Sequence, residues 1–130
     1  MDKEELVMEI RLSLNDYIRK YGTVNMAMLM KDINTDTYTF LIASKFLDLI
    51  NPYDATLFVT KHFFENLSKE ALGIISRINI VSTRDPSIGI IYNTMDVSNG
   101  KVFIKNCSFF QGEVFGVIIE DAILFESHRD

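Results

Sequence analysis

The spacing of apolar residues changes period along this chain, and that change limits what it can fold into. From Glu4 to Tyr21 the residues Val7, Ile10, Leu14, Tyr17 and Tyr21 recur at three- and four-residue steps, with Leu6 and Ile18 widening the stripe. A helix brings such positions to one face. Acids Asp2, Glu4 and Glu5 stand at its start, Arg19 and Lys20 at its end, and Gly22 follows as a stop. From Ile78 to Phe125 the chain turns to almost unbroken strand chemistry. The two rhythms predict an α+β fold: an N-terminal amphipathic helix packed on a mostly antiparallel sheet.

Between them, Val24, Met26, Met28 and Met30 alternate with Asn25, Ala27, Leu29 and Lys31, and after Asn34-Thr35-Asp36 the alternation resumes with Tyr38, Phe40 and Ile42. This predicts a hairpin, with the methionines on a core face. Ser44 caps a short helix that Asn51-Pro52 stops. Residues 55–64 fit two patterns: Thr56, Val59 and Thr60 favour a strand, whereas Leu57, Phe58 and Lys61 to Phe64 suit a helix running towards Leu67. Ser68 then caps a helix carrying Ala71, Leu72 and Ile75, and Ile78, Ile80 and Ser82 begin a strand that ends at Arg84-Asp85-Pro86. On the strand reading, residues 55–82 form a βαβ unit. Residues 88–125 read as a β-meander: strands from Ile88 to Met95, Lys101 to Phe109 and Glu113 to Phe125, with turns at Asn99-Gly100 and Gln111-Gly112.

The 130 residues fall within the usual span of one domain, 1–130, which at this size buries roughly 65–70% of its unfolded surface. A 48% hydrophobic content with ten Phe and five Tyr supplies the core. A net charge of -5 opposes nonspecific nucleic-acid binding, which rests on basic residues neutralising phosphates. Between Asn106 and His128 there is no Lys or Arg, while Glu113, Glu120, Asp121 and Glu126 fall there, so an acidic C-terminal surface is expected. The opening Met-Asp-Lys-Glu-Glu is unlike a secretory signal, and charges interrupt every hydrophobic segment before it reaches the ~18–20 residues of a bilayer span. The expectation is a soluble, cytoplasmic chain with no membrane or nucleic-acid partner.

Reacting groups do not assemble in the sequence. Cys107 is the only cysteine, and His62 and His128 show no HxxxH or HxH spacing, so neither a metal site nor a Cys-His pair is predicted. There is no GxSxG elbow, and the six glycines form neither GxGxxG nor a Walker loop. No catalytic residue and no cofactor is predicted. The best polar cluster is Ser82-Thr83-Arg84-Asp85-Pro86, at the C-terminal end of a strand where open α/β sheets bind ligands; Thr60-Lys61-His62 would end the partner strand on the same edge. Thr60, Lys61, His62, Thr83 and Arg84 together suit an anionic small molecule. The other use of the same stretch is a turn in which Asp85 bonds the backbone and Pro86 sets the exit.

The segments Thr60-Lys61-His62-Phe63-Phe64-Glu65-Asn66-Leu67 and Arg77-Ile78-Asn79-Ile80-Val81-Ser82-Thr83-Arg84-Asp85 resemble the middle of a dihydrofolate reductase, where a strand, a short helix and a strand line a pyridine-nucleotide site. The resemblance is confined to residues 60–85 and implies a nucleotide ligand at that edge. Val59-Thr60 stand where Gly-Arg is usual, no Gly-Gly pair follows, and the chain has no tryptophan. Neither cofactor phosphate nor pteridine would then be held as in that family.

The leading expectation is a noncatalytic protein–protein interaction or regulatory module, homodimeric, because apolar content is high and no catalytic set is assembled. The alternative is a small-anion or nucleotide-binding domain, or an enzyme, using the 60–62/83–84 edge.

Overall fold

The computed structural model describes residues 1–104 and 121–129, and among these it has five helices and a five-stranded mixed sheet. Helix α1 (Lys3–Tyr21) forms as its periodicity predicts. The Asp2 carboxylate accepts the Glu5 N–H at 2.8 Å, and Gly22 ends the helix at φ 96°, in the region that favours glycine. Strands β1 (Met26–Lys31) and β2 (Tyr38–Ala43) make the expected antiparallel hairpin, with Asn34 in the turn at φ 62°. Ser44 caps the short helix α2 (Lys45–Asp48).

Residues 55–64 are helical, not a strand: they lie inside α3 (Pro52–Asn66). Asn51-Pro52, which stops one helix in the sequence reading, starts the next. The Asn51 side chain accepts the Asp54 N–H at 2.9 Å, and Pro52 sits at the first turn, where its missing N–H costs nothing. Ala55, Val59, His62 and Phe63 then fall on one buried face. The β-branched residues yield because propensity is weak beside burial, and the Thr56 hydroxyl is satisfied inside the helix by the Pro52 carbonyl at 2.9 Å. Helix α4 (Lys69–Ile74), capped by Ser68, leads into β3 (Ile75–Ile80), which pairs parallel with β2. A βαβ unit therefore exists, but its first strand is β2 rather than residues 55–60.

Residues 88–94, within the predicted strand from Ile88 to Met95, are likewise helical. Helix α5 (Pro86–Thr94) starts at Asp85, whose carboxylate accepts the Ser87 N–H at 2.9 Å, with Pro86 again in the first turn. The apolar run Ile88 to Tyr92 is too continuous for its period to distinguish helix from strand, and the cap decides. What remains of the meander among the described residues is β4 (Val102–Ile104) paired antiparallel with β5 (Ala122–Ser127). The turn at Gln111-Gly112, the strand residues around it and Cys107 lie outside the described residues.

The strand order is β3-β2-β1-β5-β4, antiparallel except for β2/β3. Both faces of the sheet are covered. On one, α1, α3 and α4 bury Leu6, Ile10, Leu14, Tyr17, Val59 and Phe63 against Ala27, Leu29, Phe40, Ile42, Ile123 and Phe125. On the other, Ile88 and Ile91 of α5 meet Met26, Met28, Leu41, Ala43 and Leu124. Alternation along β1 sends Met26 and Met28 one way and Ala27 and Leu29 the other, so the methionines are core. No helix among the described residues is long and apolar enough to cross a membrane.

Candidate functional site

The five residues singled out from the sequence do not share a sheet edge. Thr60, Lys61 and His62 lie within α3, which removes the partner strand on which the edge and the reductase resemblance both depend. Lys61 is exposed. His62 is buried: its Nε2 lies 3.1 Å from the Ser13 carbonyl of α1, and because a carbonyl only accepts, Nε2 donates. Its ring meets Tyr17 and Phe63 edge-on. Thr83 is committed to α2, its N–H and hydroxyl both donating to the Asp48 carboxylate. The Arg84 N–H donates to the Ser82 hydroxyl at 3.1 Å, and Asp85 caps α5, so Ser82 to Pro86 is a turn and a cap. The open groove beside this turn, of about 680 Å³, is lined by Thr56, Ile78, Asn79, Ile80 and Val81 among others, and by none of the five.

One polar cluster among the described residues, built around a buried carboxylate, was not foreseen. Glu126 of β5 is buried, contrary to the expected acidic surface, and Arg11 of α1 places Nη2 2.7 Å from its Oε2. The Asn99 N–H donates to the same oxygen at 3.0 Å, and His128 Nε2 lies 2.8 Å from Oε1. Arg11 Nη1 also donates to the carbonyls of Gly100 and Phe125, each at 3.2 Å. A cleft of about 460 Å³ lies beside the cluster, lined by Arg19, Ser98, Glu126 and His128 among others. Proton transfer from a nucleophile needs a ring nitrogen free to receive it. Both His128 nitrogens already face oxygens, Nε2 that of Glu126 and Nδ1 the Arg129 carbonyl at 3.0 Å. The arrangement is a clamp holding α1 to β5. The His128 backbone is held as well, its N–H donating to the Asn25 carbonyl at 3.0 Å.

A different surface is apolar and exposed. Along α3, Tyr53, Leu57 and Phe64 are 73%, 52% and 62% exposed. At 100° per residue they fall on one stripe with Thr60. Phe58, on the other flank, packs on Tyr17 and Tyr21 of α1. The stripe is therefore turned away from α1, towards β3, and Thr56 on that side shares the groove with Ile78 and Ile80.

Strand β3 is an edge: among the described residues it pairs with β2 alone. The Val81 N–H donates to the Ile42 carbonyl, and alternation in the parallel ladder then directs the N–H and C=O of Ile78 and Ile80 outward. The surface therefore combines backbone groups that have no strand partner among the described residues with apolar side chains. The stripe was legible once residues 52–66 are taken as a helix; reading them as a strand hid it.

Among the described residues no group of three or more His, Cys, Asp and Glu side chains is placed to hold a metal ion. Comparison with protein-family models, curated proteins and solved structures finds no match.

Proposed function

We propose that this chain is a noncatalytic protein–protein interaction module whose contact surface is the exposed stripe of α3. The carrying observation is Tyr53, Leu57 and Phe64 exposed on one face beside a strand that, among the described residues, is paired on one side only. Single exposed apolar residues are ordinary, but a run of three on one helix face bordering an open sheet edge is the pattern of a docking surface. The Arg11-Glu126-His128 clamp, in which both His128 nitrogens face oxygens, and the structural use of His62, Thr83 and Asp85 support the noncatalytic part of the reading.

The test is the double variant Leu57→Ser/Phe64→Ser. Both positions face solvent, so the far-UV spectrum and unfolding midpoint should stay near those of the parent, within about 0.5 kcal/mol. Association with protein, self included, should fall at least several-fold by light scattering and titration. An undiminished association would remove this surface from the reading. A thermal-shift screen over nucleotides, phosphorylated metabolites and folates should give no stabilisation; a shift abolished by Arg84→Ala would transfer the reading to a ligand-binding domain.

A further inference from the structure

We infer that the partner of this surface is a second copy of the chain, joined through the β3 edges in an antiparallel pair, with the two α3 stripes meeting across the same two-fold axis. This rests on the reading of α3 as a contact surface and names its occupant.

Self-complementarity argues for a second copy. A two-fold interface sets each patch against its own image, so a charged patch would repel itself. The stripe of Tyr53, Leu57, Thr60 and Phe64 holds no charged side chain. A strand edge is complementary to itself when the copies run antiparallel, because the outward N–H and C=O groups of Ile78 and Ile80 are then met by the same groups of the other copy. Centring the axis on Asn79 sets Ile78 against Ile80 and places Arg77 opposite Val81, whereas centring it on Arg77 would oppose two guanidinium groups. The register irregularity in the β2/β3 pairing falls between Tyr38 and Thr39, at the Ile75 end, and leaves Arg77 to Ile80 regular. No proline or lysine guards the strand.

Helix α3 packs over β3, and its Phe63 ring lies 4.8 Å from that of Phe40 on β2, so the stripe and the β3 edge belong to the same side of the molecule. The area is also adequate. Two aromatic side chains and a leucine at these exposures offer on the order of 400 Å² per copy, about half of what a standard interface buries on each side, and the edge and its groove supply further surface.

The experiment measures mass by sedimentation equilibrium and backbone amide exchange on the unmodified full chain across a wide range of concentration. The mass should rise from 14.9 kDa towards twice that value, and exchange at Ile78 and Ile80 should slow in step with it. Ile78→Pro removes an outward N–H and the partly buried Ile78 side chain but no β2 ladder bond, and should weaken the dimer by about ten-fold or more. If that variant does not fold, the exchange measurement on the unmodified chain decides. A chain that stays monomeric, or dimerises without slowing exchange at Ile78 and Ile80, overturns the inference. Association that survives Ile78→Pro but is lost in Leu57→Ser/Phe64→Ser also overturns it, while leaving the contact role of α3 standing. Association that survives both sets of substitutions overturns the two together.

Discussion

Glu126 shows how little a residue's neighbours in sequence reveal about its environment. It sits in a span without Lys or Arg, where local charge points to an acidic surface, yet it is buried and held by Arg11, Asn99 and His128. His128 lies two residues on, but Arg11 comes from the opposite end of the chain and Asn99 from a separate loop, and no spacing rule reaches that far. The contacts imply a specific energetic signature. Removing one partner of a buried pair leaves the other charge uncompensated, so Glu126→Ala should destabilise by about 3 kcal/mol in urea unfolding. Replacing both partners with apolar residues, Arg11→Met/Glu126→Leu, should cost less than that single change. A double variant worse than the single would show that the pair adds net stability of its own. His62 carries the same lesson: its place on a buried face of α3, against the Ser13 carbonyl, follows from helix packing and not from its immediate neighbours.

At the level of elements, two dipeptides account for both errors of secondary structure. Asn51-Pro52 and Asp85-Pro86 read as stops, because a proline disfavours helix in the residue before it. Each is also a start, since Asn and Asp accept the N–H two or three residues on and proline suits the first turn. The apolar stretches that follow fit either period. Where the period is strong, as in Val7 to Tyr21 or along β1 and β2, the sequence is sufficient. If the cap selects the helix, Asn51→Ala should cost about 1 kcal/mol of stability in denaturant titration. A neutral outcome would mean that burial of Ala55, Val59 and Phe63 alone holds α3 in place.

For the molecule as a whole, Asp32 joins the hairpin turn to the edge strand. Its carboxylate accepts hydroxyl protons from Thr37 and Ser76, each at 2.6 Å, and from Thr39 at 2.7 Å. Burial acts to raise its pKa, but these three hydrogen bonds and the charge of Arg77 outweigh it and hold the carboxyl below its ordinary value of 3.8. The folded state therefore favours the ionised form. That contribution is fully present above the unfolded value and is lost as pH falls through the lower folded one. The stability gap between the parent and Asp32→Asn should be constant from neutral pH down to about pH 5 and narrow below it, as read by denaturant unfolding. A gap that does not change on acidification would show that Asp32 makes no proton-linked contribution. Periodicity and capping chemistry by themselves determined the amphipathic first helix, the hairpin and the α+β class, because both depend on residues a few positions apart. Only the tertiary structure decided that β2 and β3 run parallel, that β1 is covered on both faces and that Glu126 is interior. The exposure of Tyr53, Leu57 and Phe64 beside an open edge was decided there too: burial is a property of what packs against a residue, and those partners are distant in sequence.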